Sequence, residues 1–169
     1  MGLFDFLFKK KKEENDRPIQ RNVLNLQVND IVTYDLEDYI VVGKITYNDS
    51  GYEWHAYNLK GESRSIWLAA ELDDELEIGI YERVTTSVGP SIPQKLTIDG
   101  TTYYMEEHGL ATITHVSGRA GAVVGQKVEY WDFESEDEEY LSVEKWGGDL
   151  ELSKGYSIGE NELKIIAGS

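Results

Sequence analysis

The feature that most constrains this chain is a train of short runs rich in Val, Ile, Thr, Tyr and Trp, parted by brief clusters of turn residues. Ile31 to Tyr34, Tyr39 to Tyr47, Tyr52 to Leu59, Ser65 to Leu72 and Leu76 to Val84 read as strands. Asn29-Asp30, Leu36 to Asp38, Asn48-Asp49-Ser50-Gly51 and Lys60-Gly61-Glu62 break them. Parallel strands need crossovers of about a dozen residues or more, so gaps this short demand antiparallel hairpins. Thr85 to Pro93, with Gly89, Pro90 and Pro93, is the main internal boundary. Beyond it the pattern restarts with the hairpin signal Ile98-Asp99-Gly100-Thr101. Tyr103 to His108, Ala111 to His115, Gln126 to Phe133, Tyr140 to Lys145, Glu151 to Tyr156 and Leu163 to Ile166 follow. A weak helical period at Leu68 to Ile80 is spoiled by Glu71, Asp73 and Asp74, which suit a turn. The chain is predicted to be all-β.

The two stretches of strands resemble each other in order. Glu53-Trp54 with Tyr57 matches Glu129-Tyr130 with Phe133, Trp67-Leu68-Ala69-Ala70-Glu71 matches Tyr140-Leu141-Ser142-Val143-Glu144, and Leu76-Glu77-Ile78 matches Leu150-Glu151-Leu152. This predicts an internal duplication of a small antiparallel β-unit: a tail and linker at 1–21, one unit at 22–90 and a second at 91–169. Two small barrels in tandem, or a β-sandwich, would give each unit the shared core that its size requires.

Charge divides the chain differently. Of 169 residues, 16 are basic and 32 acidic, a net charge of −16. Residues 1–21 carry six basic and four acidic groups, which leaves −18 on the body. A body so acidic lacks the cations that track phosphates, so nucleic acid is not an expected partner. Without cysteine, thiolate metal sites and disulfides are excluded. No run approaches the ~18 apolar residues of a membrane span.

The start reads Met-Gly-Leu-Phe-Asp-Phe-Leu-Phe and then four lysines. Wound as a helix, Leu3, Phe4, Leu7 and Phe8 share a face with Phe6 at its edge, and Lys9, Lys10, Lys11 and Lys12 follow. So short a segment gains order only against something apolar. An anionic bilayer would take the rings while the lysines meet headgroups, and a groove on a protein partner would serve as well. The order of basic and apolar residues is wrong for a signal peptide, and Phe6 stands where myristoylation wants Ser or Thr. A cytoplasmic protein, peripheral at the inner face of the membrane, is the expectation.

The body offers several candidate chemistries. His55, His108 and His115 have no spacing that demands a metal, so none is expected, and no cofactor either. Ser117 to Gly125 is glycine-rich but lacks the lysine and helix start of a phosphate loop, and reads as a mobile loop. Dense carboxylates are the sharper signal. Glu71, Asp73 and Asp74, with Glu75 and Glu77, form one cluster, and Asp132, Glu134, Glu136, Asp137, Glu138 and Glu139 another. Two readings stand: solvated hairpin tips, or a site for a polycation such as a polyamine. No catalytic residue is assigned.

Trp54-x-x-Tyr57-x-Leu59, Trp67-Leu68-x-x-Glu71, Asp99-Gly100-x-x-Tyr103, Gly109-x-Ala111, Glu129-Tyr130-Trp131-Asp132-Phe133 and Leu141-x-Val143-Glu144-x-Trp146-Gly147 occur in that order. Together they resemble the bacterial domain-of-unknown-function family 4178 over most of residues 24 to 166. The resemblance carries no catalytic residues. It implies a setting beside envelope-stress, small membrane and polyamine-synthase-like proteins. The expected function is a non-enzymatic accessory or adaptor module at the inner membrane surface or with a membrane-linked partner. The alternative is a polyamine- or cation-handling subunit, or an enzyme, with its site between the two units.

Overall fold

In a computed structural model, residues 20–168 are described, and they form an all-β fold of eleven antiparallel strands. The strands are β1 (Ile31–Tyr34), β2 (Glu37–Asp49), β3 (Tyr52–Lys60), β4 (Ser65–Leu72), β5 (Leu76–Val84), β6 (Lys95–Ile98), β7 (Thr101–Gly118), β8 (Lys127–Ser135), β9 (Glu139–Trp146), β10 (Asp149–Ile158) and β11 (Leu163–Ile166). A single 3-10 turn at Glu160–Glu162 is the one helical element described. No helix among the described residues is long and apolar enough to cross a membrane.

The strands lie in one sheet in the order β11-β1-β2-β3-β4-β5-β10-β9-β8-β7-β6, and β2 also pairs with β7. That last pairing, Gly43↔Gly118 to Asn48↔Thr112, closes β2–β5 and β7–β10 into an eight-stranded barrel. The expectation of separate small barrels or a two-sheet sandwich is thereby corrected. The meander β2–β5 and the meander β7–β10 build one barrel, joined through β5–β10 and β2–β7. Each is half a wall. β1 and β11 extend the sheet beside β2, and β6 extends it beside β7.

Two sequence-based boundaries also change. Tyr103 to His108 and Ala111 to His115, separate runs in the sequence, are parts of one strand, β7. Gly109, which has the look of a break, is a point of close approach: a Cβ there would lie 2.5 Å from both Asp49 Oδ2 and Tyr130 Oη. The stretch expected to be a mobile loop is tied down as well. Arg119 N–H donates to Val42 O at 2.7 Å and Gly125 N–H to Ile113 O at 2.8 Å.

Period-two alternation places side chains on both faces of the wall, and both faces are covered. Facing outward from β2–β5, Tyr39, Val41, Tyr57, Leu59, Ile66 and Leu68 form a core roofed by Val23 and Leu26. Outward from the other half, Trp131, Phe133, Leu141 and Val143 pack with Val88 and Ile92 from the connecting segment. Within the barrel, Ile45, Tyr47, Ala111, Ile113, Val128 and Tyr130 pack with Trp54, Trp67 and Trp146. The inward apolar cluster fills only part of the interior.

Candidate functional site

The rest of the interior is a cavity of about 950 Å³. A small eight-stranded barrel has just enough width to be filled by side chains or to hold one small ligand, and here small residues leave room. Ala56, Ala69, Gly79, Ser142 and Ser153 line the wall where larger groups would fill it. Tyr47, Trp54, Trp67, Tyr81, Tyr130 and Trp146 supply its aromatic surface. Tyr47 stacks on Trp54 at 5.2 Å with an interplanar angle of 5°, and Trp54 meets Tyr130 edge-on at 5.3 Å. The Tyr130 hydroxyl donates to Asp49 Oδ2 at 2.5 Å over the bare backbone of Gly109. The indole N–H of Trp146 is buried without a hydrogen-bond partner.

The charge on this wall is one-sided. Ten lining residues are acidic and one, Arg83, is basic. Arg83 is already ion-paired with Glu151 at 2.9 Å. The register turns the acids into facing pairs. Glu71 of β4 lies directly opposite Glu77 of β5, and Glu144 of β9 directly opposite Glu151 of β10. Next to each pair stands an aromatic: Trp54 opposite Glu71, and Tyr130 opposite Glu144. Like charges placed opposite each other across strands destabilise a sheet, so the Glu71–Glu77 row carries a cost, and in the Glu144–Glu151 row Arg83 offsets part of it.

Enclosure raises that cost for the central acids. Burial is the main cause that pushes the Asp132 carboxyl up to about 7, with Glu107 and Glu71 adding repulsion. Glu144 is also pushed up to about 7, first by burial and then by Asp132 and Glu151, against the opposing pull of the Tyr47 hydroxyl and Arg83. Glu71 moves upward for the same reasons, burial first and Glu77 next. At neutral pH the cavity therefore holds carboxyl groups that burial and their acidic neighbours keep partly protonated.

Of the acids singled out in the sequence, Glu71, Asp73, Glu75, Glu77 and Asp132 line this cavity. Asp73 is on an exposed turn, and Asp132 is enclosed rather than part of a hairpin tip. Asp74, Glu136, Asp137, Glu138 and Glu139 are exposed in or beside turns, and Glu134 is half-buried at the end of β8. Glu144, Glu151, Glu107 and Asp49 also line the cavity, and the density of acids along the chain does not reveal them. Their signal is alternation: in Leu141-x-Val143-Glu144, the buried Leu141 and Val143 fix Glu144 on the opposite face, which is the interior. The residues from Leu3 to Lys12 lie outside the described residues.

The histidines stand apart from the cavity. His55 Nδ1 lies 2.9 Å from Thr46 Oγ1, His115 Nε2 lies 2.7 Å from Ser117 Oγ, and His108 stacks on Trp131 at 5.0 Å. Among the described residues, no three side chains of metal-ligand type converge.

A family described as "Domain of unknown function (DUF4178)" matches residues 27–160, which include the whole barrel. The chain belongs to this family. It is also similar to uncharacterized proteins of Mycobacterium bovis and Mycobacterium tuberculosis, 29% identical over 143 residues, covering 80% of this chain and 68% of theirs. No solved structure matches it. Of the ordered motifs in the family resemblance, Trp54, Trp67, Glu71, Tyr130, Asp132, Glu144 and Trp146 all line the cavity.

Proposed function

We propose that this member of the family is a non-enzymatic binding module whose barrel interior takes an organic ammonium ion. The observation that carries the reading is the lining itself: ten acids against one base around a cavity with aromatic walls, five of the acids exposed to solvent and the others, Asp132 and Glu144 among them, set within the wall. An ammonium group relieves the repulsion between facing carboxylates, donates hydrogen bonds to them and lies against ring faces. A single metal ion suits the site less well, because the acids spread along the wall instead of meeting at a point. The matching rows Trp54–Glu71–Glu77 and Tyr130–Glu144–Glu151 are what a doubled unit would produce, and the duplication belongs to this reading. So does the attachment of the module, through Leu3 to Lys12, to an anionic surface at the inner face of the membrane or to a membrane-linked partner.

A second reading is an enzyme acting on such an amine. It is favoured by Asp132 and Glu144, whose carboxyls near 7 are suited to proton transfer at neutral pH.

Calorimetric titration of the full chain with spermidine at ~0.15 M salt tests the binding reading. Saturable binding near one per chain, weakened at least tenfold in the Asp132→Asn/Glu144→Gln variant, is the expected result. Exposed charges are screened within roughly 8 Å at that ionic strength, whereas an enclosed site is much less affected. Heat that disappears at higher salt and is the same in the variant would reveal surface condensation and overturn the proposal.

A further inference from the structure

The two facing pairs are not neighbours. β5 and β10 run antiparallel side by side, so the β4–β5 turn and the β9–β10 turn lie at opposite ends of the barrel. Glu71 and Glu77 flank the first turn, and Glu144 and Glu151 flank the second. The register Ile78↔Ile158 puts Glu77 eight positions from Glu151 in the frame of β10. At ~3.3 Å per residue that is roughly 26 Å along the strands, or roughly 20 Å on the axis of a barrel whose strands tilt by ~40°. Glutamate side chains reaching inward from both ends shorten the span further. Between them stands Asp132, which feels Glu71 on one side and is felt by Glu144 on the other. Its row continues through Ser142 and Ser153, which leaves space instead of bulk.

Resting on the organic-cation reading, we infer that the ligand is elongated and carries a cationic nitrogen at each end. It is an α,ω-diammonium or longer polyammonium ion lying along the barrel axis. Glu71 with Glu77 holds one end and Glu144 with Glu151 the other, while the methylene chain runs past Trp54, Tyr47 and Trp146. A compact cation reaches one pair only, and although Arg83 already offsets part of the charge on Glu151, neither pair then shares a ligand with the other. Once one end is seated, a second ammonium on the same chain binds intramolecularly, so it adds affinity far beyond a second independent contact.

The test is a calorimetric series on the full chain at fixed pH and salt: 1-aminooctane, 1,4-diaminobutane, 1,8-diaminooctane and 1,12-diaminododecane. At equal chain length, 1,8-diaminooctane should bind at least tenfold more tightly than 1-aminooctane, which isolates the second charge from the hydrocarbon. The longer diamines should exceed 1,4-diaminobutane by at least the same factor. Glu71→Gln/Glu77→Gln and Glu144→Gln/Glu151→Gln should each bring the long diamine toward the affinity of the monoamine. Binding that is indifferent to the second amine, or that depends on one pair alone, overturns the end-to-end arrangement while leaving cation binding in place. Failure of every amine to bind the unaltered chain overturns the cation reading itself, and this inference with it.

Discussion

Asp132 and Glu144 make the cavity sensitive to pH. Both carboxyls titrate near 7 in the folded chain, well above the 3.8 and 4.5 of the free groups. Between those limits the folded state holds protons that the unfolded chain has released, so stability falls as pH rises through the window. The cost is absent below about pH 4 and complete above about pH 7. Each tenfold change in proton affinity on folding is worth about 1.4 kcal/mol, which places the penalty on the order of a few kcal/mol. Asp132→Asn should therefore raise the melting temperature most at pH 8, less at pH 5 and little at pH 4, as thermal unfolding at the three pH values will show. A smaller or opposite difference at pH 8 would mean that the carboxylate is compensated. These residues are legible in the sequence only in part. Asp132 reads there as one acid in a run that is either a solvated tip or a polycation site, because a string of acids carries no mark of which members alternate inward. Gly109 reads as a strand break, because a glycine that makes room for a neighbour's hydroxyl looks the same in sequence as one that turns the chain.

At the scale of elements, most strand boundaries follow from β-branched and aromatic runs and from their turns. The closure does not. Alternation separates the faces of a strand but names the core only when one face is polar, and in this wall both faces are occupied. In Glu129-Tyr130-Trp131-Asp132-Phe133, Tyr130 and Asp132 face the cavity while Trp131 and Phe133 face the outer core. The β1–β2 turn departs from good turn chemistry. Asp35 and Leu36 form a two-residue connection with φ of 49° and 65°, and Leu36 is fully exposed. Hairpins of this kind favour glycine at the second position, and a leucine there is strained with no burial in return. Leu36→Gly should stabilise the protein by about 0.5–1 kcal/mol, less any added freedom of the unfolded chain. Thermal melting should register a rise of about 1–4 °C, and a fall would show that Leu36 makes a contact worth more than its strain.

For the whole molecule, the tail and the barrel should act independently. The amphipathic pattern of Leu3 to Phe8 and the lysines behind it belong to the chain before residue 20, whereas the cavity is complete within residues 45–157. Removal of residues 1–12 should abolish co-sedimentation with anionic vesicles and leave amine titration unchanged. If vesicle binding survives the deletion, the barrel surface and not the tail meets the lipid; if amine binding is lost, the two parts are coupled.

The way the barrel closes also sets the order in which a newly made chain becomes a protein. β5 receives its partner only when β10 has emerged about seventy residues later, and β1 waits for β11 at the far end. Long-range pairings of this kind slow folding, since the loop between them must close before the contact rewards it. Until then the first meander is an open ribbon with unpaired backbone along its last strand, the condition in which β-proteins stick to one another. The acids of Glu71 to Glu77, costly in the finished barrel, sit on that ribbon and give each nascent copy the same repelling charge.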